Sequence, residues 1–197
     1  GIAYHSRAAR TAAGWRPGIF PLPDAMYRLG RMKKKQVRQL QEALRGKFFN
    51  ARRFTKWEMR ETLANAGYRA IPRTELLTGL PVLQQMLDQY GAVYLKPSDG
   101  LFGNRIYKIV SASNGFQLKD NKGKTKAEGT LADVFQTFSE SRKAGDYLVQ
   151  QDVSRRVDNK LVDFRVIVQK NGNGDWTCEG VIARLGIKEG IITNTVS

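Results

Sequence analysis

The 197-residue sequence predicts an α+β fold with mainly antiparallel sheets. Two observations carry this. Apolar residues recur at helical spacing in segments that end on glycine, at 33–45, 55–67 and 81–91. From residue 92 onward, short β-branched and aromatic runs dominate, joined by turn sequences such as Asn114-Gly115 and Asn171-Gly172-Asn173-Gly174.

Taken in order, residues 1–32 have little periodicity, and Pro17, Pro21 and Pro23 break any helix, so an extended arm or linker is expected. Val37, Leu40 and Leu44 form the stripe of a first helix, with Lys33-Lys34-Lys35 facing solvent. Lys47 to Asn50 suits a short strand. Thr55-Lys56-Trp57-Glu58 is a capping box, and Gly67 stands where that helix should stop. Lys56 falls in the first turn, where a cation is unfavourable against the helix dipole unless an anion is near; a solvated lysine is the ordinary alternative. Ile71 to Thr74 is extended, and Pro81 opens a helix with Val82, Leu83, Met86 and Leu87 inward. Strands are expected at 92–97, 105–111 and 116–118. A polar, lysine-rich connection follows from Lys119 to Gly129, read as a mobile loop. Thr130 caps a helix, and Tyr147 to Gln151 is a buried strand. From Leu161 to Lys170, Val162, Phe164, Val166 and Val168 share one face, and Asp163, Arg165 and Ile167 the other. Trp176 to Leu185 turns back against it, and Ile191 to Val196 begins one more strand.

The net charge is +15, and residues 1–60 hold 15 Lys/Arg against 3 Asp/Glu. Such asymmetry suggests an anionic partner, such as nucleic acid or a phosphate-rich ligand; a solvated basic helix face is the equal alternative. Cys178 is the only cysteine and His5 the only histidine. An internal disulfide, a cysteine metal cluster and a His-based nucleophilic triad are therefore set aside. No apolar run approaches the roughly 18 residues of a membrane span.

The most informative stretch is Lys96-Pro97-Ser98-Asp99-Gly100-Leu101-Phe102-Gly103-Asn104-Arg105-Ile106. A glycine-bearing loop between two strands can bring backbone N–H groups close to phosphate oxygens, and Lys96 would add a point charge. It is no P-loop, because the lysine precedes the glycines and a strand follows them. Alone, the stretch is equally an ordinary hairpin with a surface lysine.

Further motifs accompany it in order: Phe20-Pro21-Leu22-Pro23-Asp24-Ala25-Met26-Tyr27-Arg28, Phe49-Asn50, Lys56-Trp57-Glu58, Pro72-Arg73-Thr74, Asp163-Phe164-Arg165-Val166, Gly174-Asp175-Trp176, Gly180 to Arg184, and Thr193-Asn194. With these the chain resembles the ATP-grasp superfamily over roughly residues 20–197, and within it the endospore coat-associated YheC/YheD group. The resemblance implies an ATP-grasp fold of two α+β subdomains holding ATP. The expected divisions are a basic arm and pre-ATP-grasp segment at 1–53, a first subdomain with the phosphate loop at 54–145, and an incomplete second subdomain at 146–197.

By the same resemblance, Lys56 and Lys96 would contact ATP phosphates beneath a loop that includes Ser98, Gly100, Gly103 and Arg105. Gln150, Gln151, Asp152 and Val153 would form the hinge whose free N–H and C=O groups read adenine. Asp158 would face the ribose, although a surface turn is its simpler role, and Asn194 would lie near the phosphates. Arg165 and Arg184 would act in catalysis on the γ-phosphate or an anionic substrate; for Arg165 an internal pair with Asp163 competes. Arg105 stands where relatives carry glycine, and Thr55 where many carry an acid. The Mg²⁺ ligands of the superfamily are expected in a region that follows Ser197 in relatives. Residues 1–197 are therefore expected to bind nucleotide weakly, with little Mg²⁺ dependence, and without turnover.

The activity implied is a carboxylate–amine ligation through an acyl phosphate, in the cytoplasm or spore coat of a spore-forming bacterium. Two alternatives stand beside it. One is a non-catalytic coat protein that keeps the fold, meeting spore-coat components or another anionic partner through its basic segment. The other is a basic nucleic-acid-binding module.

Overall fold

A computed structural model describes residues 2–5, 16–19, 21–30, 32–100, 103–142 and 146–193, with the backbone alone at 2–5 and 16–18. The chain forms two compact units, Gly1–Arg53 and Phe54–Ser197.

In the first unit, strand β1 (Ile2–His5) pairs antiparallel with β2 (Arg16–Ile19), where an unpaired arm was expected. Pro17 is tolerated because a two-stranded ribbon leaves every strand an edge. Strand β3 (Met26–Tyr27), helix α1 (Lys34–Leu44) and β4 (Phe48–Phe49) make a small parallel β-α-β unit. Leu44 and Phe48 are buried, whereas the paired Tyr27 and Phe49 stay exposed. Arg28 is buried at 8 % exposure, its guanidinium donating to Gly30 O at 3.1 Å and Ala51 O at 2.8 Å. That arginine braces the unit, whereas Lys34, Lys35, Arg38, Arg45 and Lys47 are exposed and without ion pairs among the described residues.

The second unit is built on a six-stranded antiparallel sheet, ordered β5-β10-β6-β7-β8-β9. Its strands are β5 (Thr74–Leu76), β6 (Ala92–Pro97), β7 (Tyr107–Ala112), β8 (Gly115–Lys119), β9 (Thr125–Gly129) and β10 (Tyr147–Gln151). Helix α2 (Lys56–Asn65) precedes the sheet and begins with the expected capping box. The Glu58 N–H donates to Thr55 Oγ1 at 3.1 Å, and the Thr55 N–H to Glu58 Oε2 at 2.7 Å. Helices α3 (Leu80–Tyr90) and α4 (Leu131–Ser141) cover one face of the sheet. Period two selects that face: Val93 and Leu95 of β6, Ile109 of β7, Leu118 of β8 and Tyr147 and Val149 of β10 meet Leu83, Met86, Leu87, Val134 and Phe138. The Phe138 ring meets Tyr107 and Tyr147 edge-on, at 5.5 and 5.0 Å between centroids.

Two expectations change here. The lysine-rich connection 119–129 contains β9, an edge strand whose charged residues are ordinary for an edge. β10 lies between β5 and β6, so it belongs to the sheet of residues 54–145 rather than to a unit beginning at 146.

A second sheet, ordered β11-β12-β13, comprises β11 (Arg155–Val157), β12 (Lys160–Lys170) and β13 (Trp176–Lys188). Asp158 and Asn159, both at positive φ, form the two-residue turn between β11 and β12, which fits Asp158 as a turn residue. The alternation read on β12 holds, but among the described residues Phe164, Val166, Ile182 and Leu185 are all exposed. Residues 191–193 have no strand structure, and 194–197 lie outside the described residues.

Candidate functional site

The face of the six-stranded sheet opposite α3 and α4 collects polar side chains. Thr74, Gln150, Tyr94 and Lys108 are direct cross-strand neighbours on β5, β10, β6 and β7, and Lys96 lies two residues along β6 on the same face. Lys96 Nζ donates to Gln150 Oε1 at 2.5 Å, and Gln150 Nε2 donates to Thr74 Oγ1 at 2.8 Å. Both Lys96 and Lys108 lie over the Tyr94 ring, at 5.0 and 5.4 Å from its centroid.

Lys56 reaches this region from the first turn of α2. Its Nζ donates to Pro97 O at 2.7 Å and Gly100 O at 2.9 Å, and its N–H donates to Ser98 O at 3.0 Å. The cation thus holds the start of the glycine loop by its carbonyls. A further bond, from the Ser98 N–H to Asp146 O at 2.8 Å, ties the loop to the entry of β10.

Burial lowers the pKa of both lysines. Lys96 falls to about 8, through burial first and the Lys56 charge second, with Asp152 opposing. Lys56 is lowered by burial and by Arg105, with Asp99 opposing. The charge of Lys56 thus disfavours that of Lys96, a lysine buried on the polar sheet face at the start of the glycine loop.

Within the loop, Gly103 has φ +70°, and a Cβ there would lie 2.7 Å from Ile192 Cδ1. Arg105 has φ +60°, the left-handed region that glycine occupies without strain. Its carbonyl accepts from Tyr147 Oη at 3.4 Å. The absent glycine is therefore a conformational matter as well as a chemical one. Arg105→Gly is expected to leave stability unchanged or raise it by about 0.5 kcal/mol, whereas β-branched Arg105→Val should lower it by about 1 kcal/mol. Thermal melts of the two variants check this; equal losses in both would remove the strain argument. Leu101 and Phe102 lie outside the described residues.

The residues expected to form a hinge, Gln150 to Val153, run over the end of β10. The Gln151 N–H donates to Arg73 O at 2.8 Å and the Asp152 N–H to Ala92 O at 3.2 Å, so neither is free to read a base. The Gln151 side chain accepts from the Arg73 N–H at 3.2 Å. Asp152 is engaged by Lys108 at 2.5 Å and by the Ser154 N–H at 2.8 Å. Burial opposes ionisation of Asp152, but those partners outweigh it and hold its pKa below the ordinary carboxylate value. Of these four residues, Val153, exposed past the strand end, is left without a backbone partner among the described residues.

On the second sheet, Asp163 faces Arg184 across β12 and β13. Arg184 forks onto the carboxylate, Nε to Oδ1 and Nη2 to Oδ2, both at 2.6 Å, and Thr193 Oγ1 also donates to Oδ2. Burial would raise the Asp163 pKa, but these hydrogen bonds and the Arg165 charge bring it below its ordinary value. The partner expected for Arg165 is thus taken by Arg184, while Arg165 is exposed opposite Ile182. Asn194 lies outside the described residues.

Sequence reasoning missed Thr74, Tyr94, Lys108 and Thr193 as members of these networks. Alternation gives the shared face of Tyr94 and Lys96, but the register that adds Thr74 and Lys108 is not in the pattern. A depression of about 400 Å³ bounded by Trp57, Arg73, Leu76, Val82 and Met86 includes neither Lys56 nor Lys96, and its Arg73 is spent on Glu75 at 2.6 Å. Among the described residues no three His, Cys, Asp or Glu side chains gather as a metal site, and no helix is long and apolar enough to cross a membrane.

An antiparallel sheet carrying one desolvated lysine, a helix start carrying a second, a glycine loop and a following second sheet match the α+β architecture of the ATP-grasp class. A family model described as YheC/D like ATP-grasp matches residues 45–197, and the chain belongs to that family. It is 30% identical over 196 residues to the endospore coat-associated protein YheD of Bacillus subtilis (strain 168), covering 92% of this chain and 43% of that protein. It is 24% identical over 127 residues to the endospore coat-associated protein YheC of the same organism, covering 63% of this chain and 35% of that one. The chain thus spans less than half the length of these relatives. No solved structure matches it.

Proposed function

We propose that this chain binds ATP on the lysine face of the six-stranded sheet, as the nucleotide-holding part of an ATP-grasp protein associated with the endospore coat. The observation that carries the reading is the pair Lys56 and Lys96. Both are depressed in pKa by burial, Lys96 feels the charge of Lys56, and the carbonyls Lys56 grips belong to the loop that would meet the phosphates. A polyphosphate would relieve that repulsion and accept the two charges. Gln150 orients Lys96 while Thr74 orients Gln150, so the ammonium is held in place before ligand arrives. Val153 supplies the free hinge N–H for the adenine edge, and the exposed Arg165 would meet the γ-phosphate or an anionic substrate.

The residues present fit ATP better than they fit Mg²⁺. Asp163 is occupied by Arg184 and Thr193, and Asp152 by Lys108, so neither offers a carboxylate free for a metal. These two carboxylates therefore support no step through Mg²⁺. Ligation of a carboxylate to an amine through an acyl phosphate is the activity proposed alongside this binding, because in ATP-grasp chemistry positioning and charge neutralisation carry the reaction. The occupied carboxylates favour a second reading for residues 1–197 alone: a nucleotide-holding coat protein without turnover.

Calorimetric titration of ATP, with and without Mg²⁺, together with a phosphate-release assay, tests both. ATP binding with little Mg²⁺ dependence and no phosphate release is expected. Mg²⁺-dependent hydrolysis by residues 1–197 would overturn the second reading, and absence of ATP binding would overturn the first.

A further inference from the structure

Residues 189–193, immediately after β13, touch three separate parts of the second unit. At the near end is the β8–β9 turn. Gly123 of that turn has φ +85°, and a Cβ there would fall 2.0 Å from Glu189 O and 2.8 Å from its carbonyl carbon. The Ile191 N–H donates to Asn121 O at 3.4 Å. In the middle, Arg156 of β11 donates from Nη2 to Gly190 O at 2.8 Å, and Gly190 and Ile191 are buried. At the far end, Ile192 Cδ1 occupies the space a Gly103 side chain would need, and Thr193 holds Asp163. The β8–β9 turn is closed by its own hydrogen bonds. Asp120 Oδ1 accepts from the Lys122 and Lys124 N–H groups, each at 3.0 Å, and Asp120 O accepts from the Gly123 N–H at 2.9 Å.

We propose that this turn and residues 189–193 form a brace that fixes the resting position of Gly103 in the glycine loop, with Gly123 and Ile192 as its positioning residues. Neither reaches the lysine face; both act through the loop backbone. Gly123 is required because a close backbone approach to Glu189 leaves no room for a Cβ. Ile192 transmits the position because its side chain is the surface on which Gly103 rests. The consequence for nucleotide rests on the reading of this loop as the phosphate loop. The mechanical part does not.

The test is amide hydrogen exchange on the ligand-free protein, comparing wild type, Ile192→Ala and Gly123→Val. The brace predicts that amides 103–106 exchange at least about threefold faster in both variants, with β6 and β10 amides unchanged, because local opening is separable from global unfolding. ATP affinity should fall in parallel. Should Gly123→Val lose β6 protection as well, it has unfolded and Ile192→Ala decides, since that change only removes contact. Unchanged exchange at 103–106 in Ile192→Ala overturns the brace. If wild type binds no ATP, the phosphate-loop reading fails, while the exchange result still decides the brace on its own.

Discussion

Replacing Lys96 with methionine should weaken ATP binding by about 1.5–3 kcal/mol, roughly 10- to 100-fold, while making the protein more stable at pH 7. The two effects share one cause. Burial and the Lys56 charge bring the Lys96 pKa to about 8 from an ordinary 10.5, so at pH 7 the folded state holds a proton in a site that disfavours it. The unfolded chain binds that proton up to the ordinary value. The penalty is therefore full below pH 8 and fades as pH rises from 8 to 10.5, the window in which wild-type stability should climb. The shift sets a ceiling of about 3 kcal/mol on the penalty. Methionine removes it but also leaves Gln150 Oε1 without its donor and ends the contact with Tyr94, so a net gain of about 1 kcal/mol is expected. Bound phosphate should raise the Lys96 pKa again, so that ATP binding at pH 8–9 takes up a proton and its heat depends on the buffer. Chemical denaturation of both proteins at pH 7 and 10, with ATP calorimetry in two buffers, checks this. A variant less stable than wild type at pH 7 with unaltered ATP affinity would contradict both the site and the electrostatics.

Truncating Lys108 should have the opposite sign. Lys108 and Asp152 are 12% and 14% exposed and 2.5 Å apart, so Lys108→Ala strands a buried carboxylate. A loss of about 3 kcal/mol is expected, a fall in melting temperature of about 6–12 °C. The double variant Lys108→Met/Asp152→Leu should recover most of it, because removing both charges removes the unpaired one. Asp152 is held below its ordinary pKa, so its contribution is full above the unfolded carboxylate value near 4 and disappears as pH falls through the folded one. The deficit of Lys108→Ala should accordingly shrink in acid. A deficit that persists unchanged at pH 3 would show that packing, not the ion pair, was lost. Since Asp152 also accepts from the Ser154 N–H, the single variant should loosen the chain around Val153.

Much of the fold was legible because its signals are local. Thr55 and Thr130 cap helices through their own third-residue neighbours, and no distant group decides that. Alternation in Val93-Tyr94-Leu95-Lys96 separates core from site whatever the sheet does, since a pleat sends neighbours to opposite faces. β9 was missed because an edge strand carries the polar residues of a loop, and its pairing with β8 comes from outside the segment.

The sequence by itself determined that Lys56 and Lys96 are placed by a helix start and a strand end, that Asp163 and Arg165 share a face, and which family the motifs describe. Tertiary structure alone decided which groups meet. Register matched Asp163 with Arg184 rather than Arg165, and the fork at 2.6 Å followed from that match. Strand order put Gln150 between Thr74 and Tyr94, which gave Lys96 its acceptor. It also engaged the Gln151 and Asp152 N–H groups, leaving Val153 without a backbone partner among the described residues. Alternation fixes only the face a side chain takes; register and strand order depend on turns, bulges and long-range pairing that no single segment contains.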